Sequence, residues 1–247
     1  MVVGLISIAG IVQGQSVLAG YDVSTQPGGT NNYGASPLAA SVTGTNVTVG
    51  GLTRGTGIST TGTGAARGFG GANVIDADAA TAVTNNRFFT FTIKATTGNL
   101  LSLSSFSKFD YRRSSTGATS ADIQYQIDNG SFSTIATASL SSSSNSGASV
   151  ATIPISLSGI SALQNVPASS TVTFRIVPYG GTQSTGSFYF FDVAASTASD
   201  FSLSGSTCTI VTPSVTIAAS PSNSVCTGTS VTFTPTPTNG GTPTYVW

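Results

Sequence analysis

The chain has 247 residues, of which only 6% are charged; eight Lys and Arg balance eight acids, all of them Asp, and there is no His. Formal neutrality without a basic run argues against nucleic acid as a partner, which needs several cations to neutralise phosphate, and against attachment to anionic membrane surfaces. The lack of His removes Ser-His-Asp triads, Cys-His pairs and most zinc sites, and a chain that is 39% hydrophobic and 9% aromatic holds too much apolar material to be read as disordered.

The chain opens on an apolar run from Val2 to Val12. It is too short to span a membrane and suits the core of a signal peptide. Val12 and Gly14 fit cleavage between Gly14 and Gln15, which gives a signal peptide over 1–14 and export to the medium or the outer cell surface. The departure is that no basic residue precedes the run, the first being Arg54. A buried N-terminal strand is the competing reading.

From Ser16 to about Gly205 the chain reads as strands separated by Gly, Asn and Ser turns, with no helical stretch. "SVLAGYDVS" and "NVTVGGLTRG" come first. In "RFFTFTIKA", Phe89, Phe91 and Ile93 share one face; in "ADIQYQI", Ile123, Tyr125 and Ile127 do. Period-two alternation marks sheets with one buried face. "DNGS" forms the following turn, in which Asp128 and Asn129 tolerate turn dihedrals and Gly130 is expected to supply a positive φ. "SFSTIATASL" returns from it, "SSSSNSG" is a surface loop, and "VATIPISLSG", "STVTFRIVPYG", "SGSFYFFDVAAS" and "FSLSG" are further strands. Pro154 and Pro178 mark edge or bulge positions. The expectation is an all-β antiparallel sandwich over 15–207.

After a linker at 208–213 the style changes. "SVTIAASPSNSVCTGTSVTFTPTPTNGGTPTYVW" suggests strands at 214–219, 229–234 and 244–247. A Cys before the second and a Trp in the third look like the opening half of an immunoglobulin-like sandwich. Residues 214–247 are therefore expected to be part of a domain that continues beyond this chain.

"LAGYDVSTQPGGTNNYGASPLAA", "FDYRRSSTGATSADIQYQIDNGSF", "VTFRIVPYGG" and "FYFFDVAASTASDFSLSG" follow one another in the order of a module found in exported proteins of Bacteroidetes-type bacteria, which this chain resembles over about residues 16–205. Tyr21 departs from the pattern, which usually has Trp there. The resemblance implies a jelly-roll-like sandwich at the front of a large secreted or surface-anchored protein, exported by the type IX system and followed by immunoglobulin-like or PKD-like repeats. It implies adhesion or carbohydrate binding and defines no catalytic residue.

Arg112 and Arg113 are adjacent in a chain poor in charge. On a strand they point to opposite faces, and an inward arginine needs a partner. Asp110 shares the face of Arg112, while Phe109 and Tyr111 share that of Arg113. Arg113 is thus expected inside as a clamp, with Asp192 or Asp22 as its partner. The functional alternative is a sugar- or carboxylate-binding arginine beside Tyr111.

Tyr111, Arg112, Arg113 and Tyr179 are the candidate ligand contacts. Tyr125 and Tyr189 are read as core or rim. Asp76 and Asp78 are candidate Ca²⁺ ligands, although two Asp followed by Ala-Ala make an incomplete loop and a capped turn is the preferred reading. No cofactor is otherwise expected. "GFGG" lacks the continuation of a phosphate loop, and nothing marks a paired acid for glycoside hydrolysis.

Within the immunoglobulin-like reading, Cys226 pairs with a cysteine beyond Trp247. A Cys208–Cys226 bridge would need the chain to double back through "SPSNS". The expected role is a non-catalytic binding or adhesion module whose partners are glycans or surface polymers. The alternatives are an ancillary domain of a secreted hydrolase and a structural spacer.

Overall fold

The computed structural model describes residues 15–222, 224–240 and 244. The expected signal peptide and the strand around Trp247 lie outside the described residues. The chain divides into two compact units, one ending at Thr207 and one beginning at Cys208.

In chain order the first unit runs through β1 (Ser16–Tyr21), β2 (Gly29–Thr30), β3 (Val42–Thr43), β4 (Val47–Val49), β5 (Thr53–Arg54), β6 (Thr63–Gly64) and β7 (Gly68–Ala72). A short helix α1 (Ala79–Thr84) precedes β8 (Phe89–Ala95), β9 (Asn99–Arg113), β10 (Ser120–Ile127) and β11 (Ser133–Ser139). The pairs β12 (Ala148–Ser149), β13 (Ile155–Ser156) and β14 (Val166–Pro167) are brief. β15 (Val172–Tyr179), β16 (Ser187–Phe191) and β17 (Phe201–Thr209) complete it.

One sheet has the order β3-β1-β17-β9-β16-β7, with β12, β13 and β14 also pairing along β9; the other is β11-β10-β15-β8-β4, with β5 also on β8. The two sheets face each other across an aromatic core. Phe106 of the first meets Phe174 of the second edge-on at 5.1 Å, Phe201 meets Phe91 at 5.7 Å, and Phe190 meets Phe89 at 5.3 Å. Such edge-to-face pairs add to the burial of the rings themselves. The chain is an all-β antiparallel sandwich, as its alternation predicts. The Phe89/Phe91/Ile93 face is buried, as is Ile123, while Tyr125 and Ile127 are half-buried against the same core.

Several local expectations change. α1 is a helix where none was expected: Asp78 caps it by accepting a 2.8 Å hydrogen bond from the Thr81 amide, and the Ala-rich segment behind the cap has helical propensity. In the β10–β11 turn the left-handed residue is Asp128, at φ 52°, while Gly130 has no positive φ. Asp128 can take this conformation because its carboxylate accepts from the Thr171 amide at 2.8 Å. The segment 150–159 forms only β13, because Pro154 interrupts it. Pro178 is tolerated in the middle strand β15, since the pairing of β15 with β8 ends at Ile176.

In the second unit β18 (Ser214–Ser220) pairs with β19 (Thr232–Thr238) as an antiparallel ladder. β19 begins later than expected and runs through Pro235 and Pro237. Prolines two apart put both missing N–H groups on one edge, and a two-stranded ladder leaves one edge free. Cys208 and Cys226 are not bridged to each other.

Candidate functional site

The outer face of β16 sets the site. In the run Ser187–Phe191 alternate residues Phe188 and Phe190 enter the core, so Tyr189 and Phe191 project from the other face. Tyr189 is flanked in register by Arg112 of β9 and Gly70 of β7. β7 is glycine-rich for a reason: a Cβ on Gly70 would sit 2.0 Å from the Phe188 carbonyl oxygen, and one on Gly68 3.1 Å from Cδ1 of Tyr189. The bare strand gives the tyrosine ring room to lie against the sheet.

Tyr33, from the loop after β2, covers that ring. The centroids are 5.5 Å apart and the planes differ by 8°. The Gly70 amide donates to the Tyr33 carbonyl at 3.0 Å. Arg54 supplies a second anchor: it donates to the carbonyls of Gly70 (2.5 Å), Tyr33 (2.7 Å) and Gly34 (2.8 Å), with its guanidinium 4.8 Å from the Phe69 ring centre. Burial pulls the Arg54 pKa down to about 10, which still leaves it charged at neutral pH.

Around this pair lies a groove of about 520 Å³. One wall comes from the β2–β6 pairing and its Gly62 corner, where the Asn31 amide donates to the Gly62 carbonyl at 2.6 Å and the Gly62 amide donates back to Asn31 Oδ1 at 2.9 Å. The other comes from the loop before β16. Ser59, Thr61, Thr63, Asn73, Ser184 and Thr185 line it, with Ser187 and the two tyrosines. Burial, with the neighbouring Tyr33 hydroxyl, pushes the Tyr189 phenol up to about 12, so it is neutral at ordinary pH. No aspartate lines this groove. Its chemistry is that of uncharged donors and acceptors beside an aromatic pair.

A second recess of about 370 Å³ adjoins it, sharing Thr63, Ser187 and Tyr189, and is lined by Arg112, Arg113, Ser114 and Asn145. The two arginines differ sharply. Arg113 is buried and donates to four carbonyls: Leu140 (2.5 Å), Ser114 (3.0 Å), Ser115 (3.3 Å) and Ser141 (3.3 Å). The expected aspartate partners are incorrect. Asp192 is held by Arg67, and Asp22 accepts from the Ser24 amide. Carbonyls left over where β11 ends and the β9–β10 turn begins do the work of the counter-ion. Arg112 is half-buried, donates to Asn145 Oδ1 at 2.9 Å and lies 5.4 Å from the Phe191 ring centre.

Tyr111 is buried and lines neither hollow: it is 1% exposed, and its hydroxyl accepts from the Ser142 amide at 3.0 Å. Its burial follows the parity it shares with Phe109 and Arg113, which are buried on the same face. Tyr179 lies in the other sheet, opposite Ser120, and its hydroxyl donates to Asp122 at 3.4 Å; it lines neither hollow. Asp76 is occupied by Arg87 (2.6 Å) and Asn85 (2.7 Å), and Asp78 by its helix cap. Among the described residues no three acidic or thiol side chains converge on a metal position. None of the described helices is long and apolar enough to cross a membrane.

Of the sequence candidates the structure therefore brings together Arg112 and Arg113. It adds Tyr33 and the hydroxyl-bearing loops. Tyr33 sits in "TNNYGAS", a stretch with no periodicity to reveal its direction. Tyr189 is legible from the opposite parity of Phe188 and Phe190.

No protein family matches this chain, and no curated protein and no solved structure is significantly similar to it.

Proposed function

We propose that this chain is a non-catalytic, exported carbohydrate-binding module, of the jelly-roll type that its motifs resemble, serving adhesion at a cell surface. The observation that carries the reading is the composition of the 520 Å³ groove: hydroxyls, one amide and a stacked tyrosine pair, without a carboxylate. Sugars present hydroxyls that both donate and accept, and C–H faces that pack on aromatic rings. Ser, Thr and Asn side chains match the first property; the rings of Tyr33 and Tyr189, stacked on each other and only 5% and 4% exposed, offer a ligand their edges rather than an open face.

Glycoside hydrolysis calls for two carboxyl groups flanking the scissile bond. The groove lining offers none, which supports binding over catalysis. The apolar opening at Val2–Val12 and the hydroxyl-rich, weakly charged composition support export.

A carbohydrate array probed with the full chain tests the reading. Binding to at least one class of glycan is expected. A blank array at high protein concentration contradicts it and favours the structural spacer.

A further inference from the structure

Arg112 stands apart from the other arginines. Arg67 and Arg87 are paired with Asp192 and Asp76, Arg54 and Arg113 are bound to several carbonyls each, and Arg175 donates twice to Gln124 Oε1 with the Phe132 ring centre 3.8 Å from its guanidinium. Among the described residues Arg112 makes one side-chain hydrogen bond, to Asn145, and no ion pair. All eight aspartates lie among the described residues, and none comes within ion-pair distance of it. A guanidinium carries five N–H donors, so most of those of Arg112 meet no acceptor among the described residues. They belong to a side chain that lines a 370 Å³ recess sharing Thr63, Ser187 and Tyr189 with the polar groove.

The neighbours hold this cation in place without neutralising it. The Phe191 ring lies 5.4 Å from the guanidinium and Asn145 fixes one edge. Arg113, directly behind in sequence, adds a second positive charge whose donors are already taken by carbonyls. The free donors of Arg112 therefore face a site that is positive, hydroxyl-lined and free of carboxylates. A planar guanidinium edge matches a carboxylate in two parallel N–H···O bonds.

We infer that the ligand is an acidic glycan, and that Arg112 receives the carboxylate of one uronic-acid-type residue while the neighbouring sugar units occupy the larger groove. The inference rests on the carbohydrate-binding reading and names the class of sugar within it. Because the contact is partly solvent-exposed, it weakens as salt rises.

The test uses the full chain and oligosaccharides of pectate, alginate and hyaluronan, each beside its carboxyl-reduced counterpart, in which a neutral CH2OH replaces the carboxylate. Titration calorimetry is expected to show at least one acidic oligomer binding about tenfold or more tighter than its reduced form. Arg112→Gln, a half-exposed change that leaves the clamp of Arg113 intact, is expected to abolish that preference while residual binding of the neutral form persists. Equal affinity for acidic and reduced forms, or a preference that survives Arg112→Gln, overturns the inference and leaves the carbohydrate-binding reading standing. Dextran sulfate binding as tightly as the uronates would also overturn it, since the recess would then read charge alone. If no oligosaccharide of either kind binds, the inference fails, and the carbohydrate array decides the reading on which it rests.

Discussion

The ring of Tyr33 stacks on that of Tyr189 with centroids 5.5 Å apart and planes 8° from parallel, so a loop and a strand are locked into one wall of the polar groove. Arg54 holds the loop side through the carbonyls of Tyr33 and Gly34. Arg54→Met keeps much of the packing on Phe69 and removes the donors. It is expected to cost about 2–4 kcal/mol of stability, since buried carbonyls lose charged partners, and to weaken ligand binding by loosening the loop that carries Tyr33. Denaturant melts and binding titrations on this variant check it; an Arg54→Met protein as stable as the parent would contradict the clamp.

Adjacent arginines should behave differently on substitution. Arg113 is buried against four carbonyls, and Arg113→Met is expected to destabilise by about 3–5 kcal/mol, as does removal of a buried charge from its partners. Arg112→Ala, which loses one exposed hydrogen bond and the contact with the Phe191 ring, is expected to change stability by less than about 1 kcal/mol. Urea unfolding of the two single variants decides it, and equal losses would show that the division of labour is wrong.

The fold was legible where one face of a strand is buried and the other is wet. Phe89 to Ala95 alternates without a break, and so its partner face could be read directly. β9 is the longest strand yet hid its length: its buried positions step from Leu103 to Phe106 to Phe109, and that shift of phase breaks the period-two pattern. β7 hid because "GFGGA" offers glycines where strand formers are expected, and the glycines are there to admit neighbouring backbone and the Tyr189 ring. In the site, the inward direction of Arg113 followed from sharing a face with Phe109. Its partners could not be read, because carbonyls have no side-chain signature. Tyr33 was invisible for a related reason, since loop geometry rather than periodicity aims it.

Asp200 gives the sandwich a pH dependence of definite sign. It is fully buried; one carboxylate oxygen accepts from the Val23 amide at 3.0 Å and the other has no partner. Burial, with the nearby Asp192 and Asp110 charges, pushes its pKa up to about 6. Unfolded, the group titrates near 4. Between these values the folded state holds the extra proton, so stability falls as pH rises from about 4 to 6, by roughly 2–3 kcal/mol at most. Asp200→Asn keeps the acceptor for Val23 and cannot ionise. Its Tm is expected to exceed that of the parent at pH 7, with the gap closing by pH 4.5. A gap that stays constant across this range would contradict the assignment.

The groove itself can be closed without touching the core. Thr61 and Thr185 are exposed residues of its lining, and neither belongs to a strand or makes a side-chain hydrogen bond to the tyrosine pair. The most direct measurement is the affinity of the full chain for the best glycan of the array, compared with Thr185→Trp and Thr61→Trp, with thermal melts run alongside. The account predicts that both tryptophans fill the groove and weaken binding by about tenfold or more, while Tm stays within a few degrees of the parent. Undiminished binding in both variants, with the fold intact, would place the glycan elsewhere and contradict the central claim.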